Sequence, residues 1–131
     1  MSPLDKIKSL PMPFSVSMGV TFTEADPDCV TATMVVRDDL CTVGHSIHGG
    51  AIMAMADAVG AAATVINLPQ GAQGTTTIES KTNFVGAAKA GSIITAVATP
   101  IHKGRRTQVW QTRLETEGKL IAVVTQTQLV L

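Results

Sequence analysis

His48-Gly49-Gly50-Ala51-Ile52-Met53-Ala54-Met55-Ala56-Asp57-Ala58-Val59-Gly60-Ala61-Ala62-Ala63-Thr64-Val65-Ile66 is an almost wholly apolar stretch with one carboxylate at its centre. From Gly50 to Ile66 only Asp57 and Thr64 are polar. Such a run reads as a helix, and a helix apolar around its whole circumference is either enclosed by protein or lies in a membrane. The membrane setting fits poorly, because the run is at the short limit for a span, is built on weakly hydrophobic Ala and Gly, and has an ionisable group near its middle. A thin rod wrapped by sheet is the expected setting. There Asp57 is costly: desolvating an unpaired carboxylate takes several kcal/mol, so packing alone favours another Ala. Asp57 is thus the leading candidate for chemistry. The competing reading is a buried acid satisfied by a Thr or a backbone N–H.

Outside this stretch the period is two. From Phe14 to Thr23, Phe14, Val16, Met18, Val20 and Phe22 alternate with Ser15, Ser17, Gly19, Thr21 and Thr23, which predicts a half-buried strand. A turn over Glu24 to Asp28 leads into a second alternating run through Val30, Ala32, Met34 and Val36, and the two runs are expected to form a hairpin. Beyond the turn-rich Leu68-Pro69-Gln70-Gly71, strands are expected over Thr75 to Val85, Ser92 to His102, Thr107 to Glu115 and Lys119 to Leu131, with Glu117-Gly118 as a hairpin turn. A short helix is expected over Pro3 to Leu10. No repeat, low-complexity tract or linker divides the chain. Residues 1–131 therefore read as a single α+β domain, an antiparallel sheet of about six strands wrapped around one long central helix.

Composition narrows the function. With 131 residues, 45% of them hydrophobic, the chain can bury a sizeable core. Lys+Arg and Asp+Glu are both 10, so no global field favours nucleic acid, and near-neutrality favours self-association. Met1 to Leu10 is polar, and Pro11 and Pro13 break the chain beyond it before an apolar run of signal-peptide length appears; a cytoplasmic location is expected, with neither membrane nor nucleic acid as partner. Cys29 and Cys41 are expected as free thiols. His45 and His48 have no further His or Cys nearby to complete a metal shell, so no metal is expected. Met53 and Met55 suit core and pocket lining.

The segment Gly44-His45-Ser46-Ile47-His48-Gly49-Gly50, with Asp57 nine residues after His48, resembles the hotdog-fold acyl-CoA thioesterases, in particular the phenylacetic-acid-pathway and hydroxybenzoyl-CoA branch. Asn83-Phe84, Ala88-Lys89-Ala90-Gly91, His102-Lys103-Gly104-Arg105-Arg106 and Gly118-Lys119-Leu120-Ile121-Ala122 fall where members of that family have similar segments. The resemblance implies hydrolysis of an acyl-CoA, with CoA as part of the substrate and no separate cofactor. It implies that Gly49 is the oxyanion-hole glycine, and that Asp57 either attacks the thioester carbonyl or activates a water. It also gives Thr77 an assisting hydroxyl, and places active sites at the interface of a homodimer that pairs further into a dimer of dimers. Thr42 stands where this branch often has Asn or Gln to orient substrate or water, and Gly86 where relatives are often basic. Gly50, Asn83, Phe84, Gly104, Arg105 and Arg106 are then the expected substrate-binding residues. His48 is expected to fix the loop by hydrogen bonds, with direct participation as the alternative.

The residues support part of this without the family. Gly49 opens the helix, so its N–H is an unpaired donor at the positive end of the helix dipole and its missing side chain permits close approach. At about 1.5 Å per residue, Asp57 lies roughly 12 Å further along the axis, too far for both groups to meet one carbonyl within one subunit. This distance implies a shared site between antiparallel helices about a two-fold axis. Guanidinium forks suit phosphate oxygens at Gly104-Arg105-Arg106, although a solvated hairpin with ordinary surface arginines has the same composition. A hydratase or dehydratase acting on acyl thioesters and a non-catalytic acyl-CoA binding or sensing protein are the alternative functions.

Overall fold

The computed structural model describes all residues, Met1–Leu131. Helices α1 (Pro3–Lys8) and α2 (Pro13–Met18) precede strands β1 (Thr21–Asp26) and β2 (Cys29–Val35). Two short 3-10 turns, Asp38–Leu40 and Val43–His45, then lead to the long helix α3 (Gly49–Val65). Strands β3 (Thr75–Phe84), β4 (Ile93–Lys103), β5 (Thr107–Thr116) and β6 (Lys119–Val130) complete the chain. All pairings are antiparallel, in one six-stranded sheet of order β1-β2-β4-β5-β6-β3. The α+β expectation, the six strands and the central helix are all observed.

One expected element is different. The run from Phe14 to Thr23, predicted as a single strand, is divided between α2 and β1. Pro13 at the first helical position has a helical φ and needs no N–H partner, and Gly19, left-handed at φ 82°, ends the helix. The apolar alternation is incidental here: Ser15 and Met18, three apart, are buried, whereas Phe14 and Val16 are 67% and 72% exposed. Only from Thr21 does the chain pair with β2, Thr21 opposite Thr33.

The core lies between α3 and the concave sheet. Ala56, Ala58, Ala62 and Ala63 are buried on the helix, and their small side chains let the sheet close on it. Against them pack rows of direct cross-strand partners, Ala32 with Ala96 and Leu114 with Ala122, beside the fully buried Trp110. Met55 is buried with this core, but Met53 is 39% exposed. The helix is therefore not enclosed on all sides. Gly50, Met53, Ala54, Asp57 and Ala61, spaced three and four apart, form a stripe that the sheet leaves partly or wholly open. Asp57 is accordingly half-buried rather than sealed. No helix is long and apolar enough to cross a membrane.

Two local devices set the site. The hairpin between β5 and β6 turns on Glu117 and Gly118, both at positive φ (50° and 75°), as a tight primed turn demands. In β3, Thr77 pairs with Gln128 but Glu79 pairs with Thr127, so Ile78 is the extra residue of a bulge. Before the bulge Thr75 and Thr77 share a face with Gln128; after it Ser80, Thr82 and Phe84 share a face with Gln126, Val124 and Ala122. The bulge keeps both sets directed at the helix, which a continuous period of two cannot do.

Candidate active site

At the start of α3 the chain turns sharply into the helix. Gly44 and His45 are both left-handed (φ 78° and 57°), and the carbonyl of His45 is held by the N–H of Ala90 at 2.9 Å. His48 is the N-cap: its Nδ1 accepts from the Gly50 N–H at 2.8 Å. A neutral His48 ring therefore carries its proton on Nε2, as a donor. Its expected role in fixing the loop is visible in this cap, and the Gly50 N–H is committed to it. The Gly49 N–H has no partner in the chain. A Cβ on Gly49 would lie 3.2 Å from the ring of Phe84, so the start of α3 and the end of β3 meet here. Phe84 is exposed, and Asn83, also exposed, is on the opposite face of β3, so the structure does not bring it to Gly49. Thr42, also exposed, precedes the Val43–His45 turn, and its N–H donates to the carbonyl of Ser46 at 2.8 Å.

The second group of candidate residues lies two helical turns on. Thr77 Oγ1 is 2.6 Å from Asp57 Oδ1, and the same hydroxyl closely contacts Gln128 Oε1. Gln126 Nε2 lies 3.4 Å from both the Asp57 main-chain oxygen and Oδ1. Asp57 Oδ2 has no hydrogen bond within the chain and belongs to a carboxylate at the wall of a cleft of about 360 Å³. Met12, Pro13 and Phe14 line that cleft from α2 and the residue before it, and Ala54, Ala58 and Ala61 from α3. Of the two sequence readings of Asp57, the hydrogen bond from a Thr is present, and one oxygen is still left over.

Arg105 and Arg106 sit in the turn between β4 and β5, with Gly104, and line a separate cleft of about 400 Å³ with Pro69, Gln70 and Leu131. The Arg106 carbonyl accepts from Val130 N–H at 2.8 Å, and Val130 is two residues beyond Gln128 on β6. The arginine turn is thus at the Asp57 end of the molecule, not the Gly49 end. Gly104 is required by packing, since a Cβ would fall 2.5 Å from His102 Nε2 and 2.9 Å from the Thr107 carbonyl oxygen. Gly86 is likewise constrained: a Cβ there would meet the Leu120 carbonyl oxygen at 3.0 Å. A basic side chain at that position has no room without moving β6.

The sequence reading missed Gln126 and Gln128. They continue the inward face that begins with Ala122 and Val124 on β6, so strict alternation places two amides at core positions, and that is the signal that could have found them.

Residues 44–122 match the profile of the thioesterase superfamily. The chain belongs to that superfamily. A candidate esterase of Mycobacterium tuberculosis is 32% identical over 101 residues, covering 76% of this chain and 71% of that protein. The 1,4-dihydroxy-2-naphthoyl-CoA hydrolase of Escherichia coli is 30% identical over 104 residues, covering 79% and 75%. A variant thioesterase from Pseudomonas aeruginosa superposes with a TM-score of 0.89 at 27% identity, over 98% of this chain and 93% of that one. A variant of the phenylacetic acid degradation protein PaaI of Thermus thermophilus gives 0.84 at 26%, over 92% and 100%. The sheet-wrapped helix of this thioesterase is the hotdog fold that the resemblance implied.

Proposed function

We propose that this thioesterase hydrolyses an acyl-CoA at sites shared between two copies of the chain, each site combining the Gly49 end of one subunit with the Asp57 end of the other. The observation that carries this reading is the pair of unmet groups on α3, the Gly49 N–H and Asp57 Oδ2. They are about 12 Å apart along one helix, and antiparallel pairing of two helices would bring each opposite its complement. Two features favour such pairing. The open stripe on α3 sets Gly50, Ala54 and Ala61 around Asp57, with Met53 39% exposed beside them, and β3 is an edge strand carrying Ile78 at 56% exposure.

Within that reading the Gly49 N–H, on the positive end of the helix dipole, stabilises the charge that builds on the thioester oxygen. Asp57 Oδ2 attacks the carbonyl carbon or takes a proton from the attacking water, and Thr77 holds Oδ1. The cleft between α2 and α3 takes the acyl group, its apolar lining suited to a medium-chain or aryl chain. Arg105 and Arg106 take CoA phosphates at the same end as Asp57. Phe84 flanks the carbonyl from the Gly49 side. The similar hydrolase of Escherichia coli acts on an aryl CoA ester, which supports this choice of substrate class.

The test is turnover of a panel of straight-chain and aryl acyl-CoA esters monitored by thiol release, with the acid product identified. Release of free CoA and acid at catalytic rates is the expected result. Tight binding of every ester without turnover would replace the proposal by a binding or sensing role, and a hydrated thioester as product by a hydratase.

A further inference from the structure

Gln126 and Gln128 are wholly buried amides on the core face of β6. A buried amide is destabilising unless its groups are paired, and the way these two are paired converges on Asp57. Thr75 Oγ1 donates to the Leu129 carbonyl at 2.9 Å, so toward Gln128 it acts as acceptor, and Gln128 Nε2 donates to it at 3.2 Å. That fixes the Gln128 amide with Oε1 toward Thr77. The Thr77 hydroxyl has one proton and two acceptors, Asp57 Oδ1 and Gln128 Oε1. Gln126 resolves the competition. Its Nε2 lies 3.2 Å from Gln128 Oε1 and supplies that oxygen with a donor, while the same amino group also approaches Asp57 Oδ1.

The room for this arrangement comes from the helix. A Cβ on Gly60 would lie 2.2 Å from Gln126 Oε1, an oxygen that is buried without a partner. Glycine is unfavourable in a helix interior, yet at position 60 any side chain would evict the amide.

We propose that Gln126 is a positioning residue for Asp57, and that Gly60 is there to admit it. By satisfying Gln128, Gln126 leaves the Thr77 proton to Asp57 Oδ1; the carboxylate is then held by one oxygen and presents the other to the cleft. The proposal rests on the reading of Asp57 as the reacting carboxylate.

Gln126→Met keeps the length of the side chain and removes its donor. With benzoyl-CoA or octanoyl-CoA, whichever the protein turns over faster, kcat is expected to fall about 10- to 100-fold, as for loss of one hydrogen bond to a charged group, while KM stays within about twofold. Gly60→Ala tests the same device without replacing any residue of the network. It should lower kcat comparably in the native chain but cause no further loss in a Gln126→Ala chain, where the methyl group has space. Native kcat in Gln126→Met, or independent losses from Gly60→Ala and Gln126→Ala, overturns the proposal; if Gln126→Met fails to fold, the cycle through Gly60 decides. Asp57→Asn separates the two readings. An inactive Asp57→Asn beside a fully active Gln126→Met removes only the role of Gln126, whereas a fully active Asp57→Asn removes both.

Discussion

The first turn of α3 and the turn that bears Asp57 are built in opposite ways. At Gly49 the unmet group is a backbone N–H, presented by a left-handed Gly44-His45 pair and a His48 cap. At Asp57 the unmet group is a side-chain oxygen of a carboxylate held through Thr77, Gln126 and Gln128, which come from β3 and β6. The first is shaped by turn chemistry within residues 44–50 and tied to the rest of the chain at Ala88 and Ala90. The second needs the sheet to be folded, its register bulged at Ile78, and a glycine at position 60. Each end has one hydrogen-bonding group left unmet within the chain.

If the two ends play the proposed parts, the carboxylate end has no substitute. Asp57→Asn should lower kcat by roughly two to four orders of magnitude, the range ascribed to a general base, while the acyl-CoA ester still binds. The two measurements are single-turnover thiol release and equilibrium binding. Near-native turnover would remove Asp57 from the chemistry and leave it a structural acid.

Mixing the two ends between chains tests whether they cooperate. Asp57→Asn subunits and Gly49→Val subunits should each be inactive alone. After subunit exchange half of the dimers are mixed, and each has one site of two with both groups intact, so about a quarter of the native rate should return. No recovery despite proven exchange, or full activity in a monomer by sedimentation at assay concentration, would reject the shared site.

The asymmetry between the ends also explains what the sequence reveals. Gly49, His48 and Asp57 are close together in one apolar run, so their relation could be read from helix geometry. The contact of Phe84 with Gly49 spans 35 positions, and the contact of Gln126 with Asp57 spans 69. Such pairs depend on strand order and register, which no local pattern reports. The α2 helix was hidden for a different reason: Phe14, Val16 and Met18 alternate like a strand, and only Pro13 and Gly19, one at each end, mark the segment as a helix. The bulge at Ile78 defeats alternation in the same manner, because it changes which residues of β3 face inward part-way along the strand.

The arginine turn extends the carboxylate end, and its removal should have a smaller and more selective effect. Arg105→Ala with Arg106→Ala is expected to raise KM for CoA esters about tenfold and to flatten its dependence on salt. Turnover of a short N-acetylcysteamine thioester, which has no nucleotide, should be unchanged. Equal losses on both substrates would mean that the arginines support the fold of the turn and not the ligand.

The smallest expected effect is on stability, and it bears on why an acid occupies the middle of an alanine helix. Asp57→Ala removes a half-buried carboxylate and inserts the best helix former, a gain of roughly 0.5 kcal/mol in propensity. It also releases the Thr77 hydroxyl, whose proton then has Gln128 Oε1 as its remaining acceptor, so no new buried donor is left unmet. The variant should be as stable as the native chain or slightly more so in urea unfolding at fixed protein concentration, as expected where a residue is kept for function at the expense of stability. Gly49→Ala should behave similarly, since the Phe84 ring against which its methyl group would press is 50% exposed and free to give way. A loss greater than about 1 kcal/mol in Asp57→Ala would point the other way, because it would mean that the bonds to Thr77 and Gln126 tie the helix to the sheet and that Asp57 is held there by the fold.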